Sequence, residues 1–352
     1  MSRGAQVTVA GAGALGLSSA LALADAGCSV TVCDPADTPQ ASGVAAGMLA
    51  PVFEAVLDDG LLNGGGEAAF DHLVAARNLW PAVEARAGVA LDRSGTMAVG
   101  EAAWLAGVTQ GLARLGVRPT ELSRTTIEGL APGLAPAFDH ALLVREEWRL
   151  DPGQALAALR RAAEAVGVQF RREAVSRAEE GDFLVIATGA DQRLAERAPE
   201  LAGLTPIRGQ ILRFLDVRGG GVSVRTDGAY AAPAADGLAI GATMEVGVSE
   251  AKVDPKTLGP LTAAVGRLYP ALAEATFAAS AGIRAATADG LPMVGPSQAP
   301  KVVLAVGARR NGWLLAPLVA QLVTACVTGR DPGPYAARFD PGRFGPRRFD
   351  AP

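Results

Sequence analysis

The stretch VAGAGALG, Val9–Gly16, constrains this chain more than any other. It joins a β-branched run, AQVTVAG, to an apolar segment with helical spacing, ALGLSSALALADAG, and a second β-branched run, CSVTVCD, follows. Gly27 reads as the C-cap of that helix. Strand, glycine turn, helix and strand in this order open a parallel nucleotide-binding unit. Gly11 permits the tight turn, Gly13 lets backbone approach a pyrophosphate, and Gly16 lets helix and strand pack closely. Ala12, Ala14 and Leu15 complete the turn, where a phosphate would meet free N–H groups at the positive end of the helix. Asp34 lies 18 residues after Gly16, at the end of the second run, and is placed to accept hydrogen bonds from a ribose. An acid there favours FAD or NAD over NADP. With 43 glycines in the chain the motif alone is weak, and its context makes it strong.

An apolar N-terminus also raises a signal-peptide reading, but such a leader needs no glycines at fixed offsets. The expectation is a cytoplasmic protein. Three cysteines, Cys28, Cys33 and Cys326, form no CxxC pair and fit a reducing compartment. Net charge is -4 and no long basic run appears; the short tail Arg343 to Arg348 is broken by Pro and Gly, so nucleic acid is not an expected partner. Two histidines, His72 and His140, leave no basis for a histidine metal site or a Ser-His-Asp triad, and no metal is expected. No apolar run reaches the length of a membrane span.

The 352 residues suggest about two domains, and 49% apolar residues can fill a large core. The segment 35–66 reads as loop. EAAFDHLVAARNLWPAVEARAG reads as a helix bent near Pro81, and GTMAVG as a short strand. The segment 101–148 looks mixed, with a turn at LAPGLAP. DPGQALAALRRAAEAVG is a helix with Asp151 as N-cap and Pro152 at the first position. VQFRRE and DFLVIATG are strands. TPIRGQILRFLDV through GLAIGATMEV gives several strands of an antiparallel sheet. PKTLGPLTAAVGRLYPAL is a helix, KVVLAVGA a buried strand, and 313–328 the final helix. Parallel units at both ends flank a strand-rich middle, so one domain is assembled from separated segments.

Four further stretches can carry chemistry. ASGVAAGMLAP, Ala41 to Pro51, is either a flexible loop or backbone that passes close to a flat cofactor. The strand end Ala187-Thr188-Gly189 can abut the nucleotide turn. Arg284 stands on a strand-like run, with Asp289 its one nearby carboxylate. RRNGWLLAP places Arg309 and Arg310 at the mouth of a buried helix, where a carboxylate of the protein or of a ligand should meet each guanidinium.

These stretches, together with PIRGQILRF, YAAPAADGLAIGATM and GIRAATADGLPMVGP, occur in the order seen in FAD-dependent amino-acid oxidases of the D-amino-acid oxidase superfamily. The chain resembles most the glycine oxidase type of thiamine biosynthesis, over nearly its whole length. The resemblance implies a Rossmann-type α/β domain that binds FAD without a covalent link, none of the three cysteines lying in the matched flavin-contact motifs. It implies a second, α+β substrate domain on a mainly antiparallel sheet. The expected division is 1–85, 150–210 and 276–352 for FAD, and 86–149 and 211–275 for substrate.

Carried over by position, Gly11, Ala12, Gly13, Ala14, Leu15, Gly16 and Asp34 hold the ADP half of FAD. Ser42, Ala46, Gly47 and Met48 line pyrophosphate and flavin, Val175 lies by the adenine, and Gly189 lies near the nucleotide. Arg284 grips the substrate carboxylate with Tyr230 as a second donor, Met244 narrows the pocket, and Arg310 is a further arginine at the site. Arg310, Asn311, Gly312 and Trp313 reach the flavin edge. The implied reaction is hydride transfer from the Cα of glycine, sarcosine or a D-amino acid to FAD, with no side-chain acid or base and with O2 as acceptor. A dehydrogenase using a quinone or carrier, and a non-catalytic FAD-binding protein, are the rival readings. A homo-oligomer remains open. The chain departs from the pattern at Ala308, Arg309 and Trp313, which the resemblance reads as a changed pocket. It also lacks the proline usual after Arg284, and the stretch from Val175 to Gly189 is shorter than usual.

Overall fold

The computed structural model describes residues 4–38, 40–57, 66–175, 181–217 and 220–345, and of 66–69 the backbone only. The glycine motif builds what its spacing predicts. The strand Gln6–Ala10 turns at Gly11, whose φ is +102°, and the helix Ala14–Asp25 starts within four residues. A side chain at 11 would sit 2.5 Å from the carbonyl oxygen of Ala187, and one at 16 would overlap the carbonyl oxygen of Gly11. The helix ends at Gly27, with φ +89°, which lets the chain reverse into the strand Ser29–Cys33.

These strands sit inside a six-stranded sheet. Its order is Met293–Pro296, Val302–Val306, Phe183–Ile186, Gln6–Ala10, Ser29–Cys33, Gln169–Arg171. All neighbours run parallel except the first pair. The three central strands come from both ends and the middle of the chain, so this layer is discontinuous, as expected. The helix Gly312–Thr328 and the first helix pack against it, and Val9, Leu23, Trp80, Leu314 and Val323 share one core.

A second, nine-stranded sheet is antiparallel but for one pair, Ser223–Thr226 on Thr96–Ala98. Its long strand Thr205–Leu215 pairs on one side with Ala278–Ala286 and on the other with Gly237–Gly241 and Glu245–Val246. A separate core holds Leu143, Leu212, Phe214, Ile240 and Leu268 beneath it. The fold is a Rossmann-type layer joined to a second domain on a mainly antiparallel sheet.

The structure adjusts several expectations. The strand Thr205–Leu215 crosses the expected boundary at 210, and Ala278–Ala286, expected in the FAD part, pairs with it from end to end. A continuous hydrogen-bonded ladder keeps both in the second sheet. The segment expected as loop from 35 contains the helices Ala41–Val44 and Pro51–Leu57 and the short strand Met48–Leu49. That strand pairs with Trp148–Arg149, so a partner distant in sequence supplies the order that local propensity lacks. The helix expected over 255–272 is Gly259–Leu268, flanked by single 3-10 turns at Pro255 and Pro270. The stretch Ser176–Glu180 and the tail from Pro346 lie outside the described residues.

Gly16→Val would drive a branched side chain into the Gly11 carbonyl and separate helix from strand. We expect a loss of about 1–3 kcal/mol or more, as overpacking gives, seen as a lower Tm. An unchanged melting curve would refute the close-packing role.

Candidate active site

Between the second sheet, the segment Ala41–Met48 and the turn Arg309–Trp313 lies a cavity of about 820 Å³. One wall is the cavity face of the second sheet. Strand alternation puts Ile207, Gly209 and Ile211 on that face, with Arg284 and Gly282 beside them on the neighbouring strand. Two strands further, the row Ile211, Gly241, Tyr230, Arg225 crosses the sheet by direct pairing. Two glycines leave this face bare. A Cβ on Gly209 would overlap the guanidinium of Arg284, and one on Gly241 would overlap the phenol of Tyr230. Both polar side chains therefore lie flat on the sheet and point along it into the cavity.

Arg284 is expected to meet a carboxylate. Asp289 does not serve, because it accepts from Arg343 at 2.8 Å and from Thr287 at 2.9 Å. The Arg284 Nη1 instead donates to the carbonyl of Thr243 at 3.1 Å and lies 3.3 Å from the sulfur of Met244. Among the described residues it forms no ion pair. Burial lowers its pKa, and the like charges of Arg310 and Arg309 add to that. Such a cation is short of anionic partners, which is the condition for binding one. Burial also raises the Tyr230 phenol, so it stays a donor.

The opposite wall comes from the small-residue segment. Ala41, Ser42 and Ala45 to Met48 line the cavity. Gly47 has φ +73°, and a Cβ there would overlap the carbonyl oxygen of Leu150. The flexible-loop reading of this segment is therefore set aside: it is tightly seated backbone.

The third wall is the turn Arg309–Trp313. Asn311 precedes the helix Gly312–Thr328 without capping it by its side chain, so the first-turn N–H groups open on the cavity side. Trp313 lines the cavity, donates its indole N–H to the Ser42 carbonyl at 3.0 Å and packs against Trp80, ring centroids 6.2 Å apart. Arg309 also lines the cavity, in a left-handed backbone conformation of φ +46°. Ala308 does not line it. It is buried in the first core, where Ala286 bridges to it, so its small size serves packing and not the pocket.

Arg310 meets a protein carboxylate. Glu54, from the helix Pro51–Leu57, accepts from Arg310 Nη2 at 2.8 Å and from Arg225 Nη2 at 2.8 Å, one on each oxygen. Burial pushes this carboxyl up, but the two guanidiniums outweigh it and hold it at about 2. Glu147, fully buried, caps the same helix: its Oε1 accepts the N–H of Val52 at 2.7 Å and of Phe53 at 3.2 Å. Its Oε2 has no hydrogen-bond partner among the described residues. Burial, with Glu54 near, raises Glu147 to about 8 against the pull of Arg225. The proton then belongs on Oε2.

Sequence reading missed Glu54, Arg225, Glu147, Gly209 and Gly241. The available signals were small: one acid inside the apolar run PVFEAV, and an arginine among β-branched residues in VSVRT.

The nucleotide end is also assembled. Asp34 accepts Ala12 N–H at 2.7 Å, Ala36 N–H at 2.8 Å and the Gln40 amide at 3.0 Å. The Ser42 hydroxyl accepts Ala14 N–H at 3.0 Å, and a Cβ on Gly13 would crowd it at 3.1 Å. Ala187 and Thr188 close on Gly11, with Gly189 at φ +65° after them, and Val175 packs beside a third core. Ser42 links the two ends: its hydroxyl meets the glycine turn and its residue also lines the cavity. His72 is ordinary core, edge-on to Tyr335 and Phe339. Among the described residues no cluster of metal-ligating side chains occurs, and no helix is long and apolar enough to cross a membrane.

Two expectations follow from the buried acids. Glu54→Gln leaves two arginines without their anion and should cost roughly 3–5 kcal/mol in denaturant unfolding; a loss below about 1 kcal/mol would refute the network. Glu147 holds a proton in the folded state that the unfolded chain releases near pH 4.3, about the ordinary glutamate value. Its stabilising contribution is therefore full below that pH and lost as pH rises to about 8. Glu147→Gln should flatten stability between about pH 5 and 8, and an unaltered slope would show Glu147 ionised throughout.

Comparison with known proteins gives the family. Residues 6–326 match the model of the DAO family, described as FAD dependent oxidoreductase. A putative thiamine biosynthesis oxidoreductase ThiO from Rhizobium etli is 31% identical over 336 residues, covering 90% of this chain and 94% of that protein. A tRNA 5-methylaminomethyl-2-thiouridine biosynthesis bifunctional protein from a Caulobacter species is 36% identical over 178 residues, 48% of this chain, and the match spans only 29% of that protein. The solved glycine oxidase of Geobacillus kaustophilus shares the fold, with a TM-score of 0.80 at 24% identity, over 96% of this chain and 98% of that one. With a family model matching most of its length and a cavity and glycine turn that fit the cofactor, this chain belongs to the DAO family of FAD-dependent oxidoreductases.

Proposed function

We propose that the protein oxidises a small amino acid or amine, such as glycine, sarcosine or a D-amino acid, at Cα, with O2 as the final acceptor. The observation that carries this reading is Arg284: a half-buried guanidinium in the cavity with no carboxylate partner among the described residues, beside the Tyr230 phenol. A substrate carboxylate supplies the missing anion through charge-assisted hydrogen bonds, each of about 1.5–3 kcal/mol. The names glycine oxidase and ThiO among the relatives support the same class.

In this reading the discontinuous six-stranded part holds FAD and the nine-stranded part holds substrate. Gly11 to Gly16 and Asp34 take the ADP half, with Val175 and Gly189 nearby. A ribose at Asp34 would compete with Gln40 for the carboxylate. Ser42, Ala46 to Met48 and Asn311 to Trp313 flank the flavin. Bound FAD supplies a two-electron acceptor.

The chain's own residues orient and exclude. Arg284 and Tyr230 fix the carboxylate, which fixes the Cα–H direction. Met244 closes the pocket beside the guanidinium. Glu54 is no general base, since both of its oxygens are taken by arginines and its pKa is about 2. The amine therefore has to lose its proton to solvent, and its lone pair then assists loss of the Cα hydrogen with its electron pair. The N-terminus of the helix Gly312–Thr328 favours negative charge at the flavin edge. For a primary amino acid the sum is amino acid, O2 and water to 2-oxo acid, ammonia and H2O2; sarcosine would release methylamine in place of ammonia.

The test is peroxide release from glycine, sarcosine and D-proline. Oxidation of at least one is expected, and none would reject the reading. Arg284→Met should raise KM at least tenfold, about one lost charged hydrogen bond, with FAD retained. Unchanged KM would remove its carboxylate role. Slow reoxidation of the substrate-reduced protein in air would indicate a dehydrogenase.

A further inference from the structure

The motif PIRGQ, Pro206–Gln210, does two jobs on two faces of one strand. On the cavity face Gly209 leaves the space in which the Arg284 guanidinium lies. On the other face Arg208 and Gln210 hold a polar network. Arg208 donates to Glu245 Oε2 from Nη2 at 2.5 Å and from Nε at 3.2 Å, and to the Lys252 carbonyl at 3.1 Å. Gln210 donates its side-chain amide to Glu245 Oε1 at 2.9 Å and to Thr257 Oγ1 at 2.6 Å, and its Oε1 accepts Asp254 N–H at 2.7 Å. Asp254 adds a longer contact to Arg208 at 3.5 Å.

The network converges on Thr243. Its Oγ1 donates to Glu245 Oε1 at 2.8 Å and accepts the Gln210 backbone N–H at 2.9 Å, and its own N–H donates to the Gln210 carbonyl at 3.1 Å. Hydroxyl, N–H and Glu245, two residues on, are all tied to one strand. The remaining group is the Thr243 carbonyl, and it is the oxygen that receives Arg284 Nη1. The next residue, Met244, places its sulfur on the same nitrogen.

We propose that Glu245, held by Arg208 and Gln210, is a positioning residue for substrate binding: it fixes the Thr243 carbonyl, which aims the Arg284 guanidinium across Gly209 into the cavity. This rests on the reading that Arg284 binds the substrate carboxylate. The Arg208 hydrogen bonds hold the Glu245 carboxyl at about 2, so it stays ionised at any pH used for assay. The like charges of Arg310 and Arg309 act against the Arg284 charge, and the Thr243 carbonyl is the oxygen that holds its Nη1.

The experiment is a double-mutant cycle on the FAD-loaded enzyme, read as KM and kcat with the best amine of the panel. Glu245→Ala should raise KM about tenfold with kcat within about twofold, and Glu245→Gln, which keeps one acceptor oxygen, should recover part of it. In an Arg284→Lys background the same substitution should change KM by less than about twofold, because the aimed group is gone. Gly209→Ala, which displaces only the tip of a side chain, should raise KM similarly with Tm unchanged. An equal KM effect of Glu245→Ala in both backgrounds, or a fall in Tm with KM unchanged, would overturn the proposal. If Arg284→Lys alone leaves KM unaltered, the carboxylate reading itself fails; if it raises KM and Glu245→Ala does not, only the positioning role fails.

Discussion

Glu54 is the carboxylate on which the cavity depends. It takes Arg225 from the second sheet and Arg310 from the turn after the last strand of the first sheet, one guanidinium per oxygen. Three segments distant in sequence are thus tied at one buried point between the layers. A buried ion pair is not by itself a source of stability, because desolvation offsets most of the attraction. Its value here is geometric. Both arginines are held at fixed places on the cavity wall, and Arg284 beside them has no carboxylate partner among the described residues.

The same economy runs through the second sheet. A strand exposes alternate residues to one face, so a glycine every second position clears a path along it. Gly209, Gly241 and Gly282 clear that path on three strands, and Arg284 and Tyr230 lie in it. A Cβ on Gly282 would press on Ala41 and Val44 at 3.1 and 3.3 Å, so the segment expected to flank the flavin packs directly on the sheet expected to hold substrate. Small residues on both sides let the two parts approach closely enough to share one cavity.

Much of the first layer was legible because its signals are local. Gly11, Gly16 and Gly27 each act within a few residues, and the strand or helix period around them fixes what they must do. Arg284 and Arg310 stood out as arginines in apolar surroundings, Tyr230, Met244 and Trp313 were found by resemblance, and the structure brings all five to one cavity. Glu54, Arg225 and Glu147 were not legible. Their meaning lies in partners up to 256 residues away, and no local pattern encodes such a pair. Ala308 shows the reverse error: an unusual residue next to the site is ordinary core.

The sequence by itself determined the opening strand, glycine turn, helix and strand, since alternation, helical period and glycine placement are properties of neighbouring residues. Only the tertiary structure decided the state of each arginine. A guanidinium in a sequence is a charge looking for an anion. Whether it finds Glu54, as Arg310 does, or only a carbonyl, as Arg284 does, depends on which strands and helices meet across the cavity. Burial and distance set that outcome, and neither is written in the local order of residues.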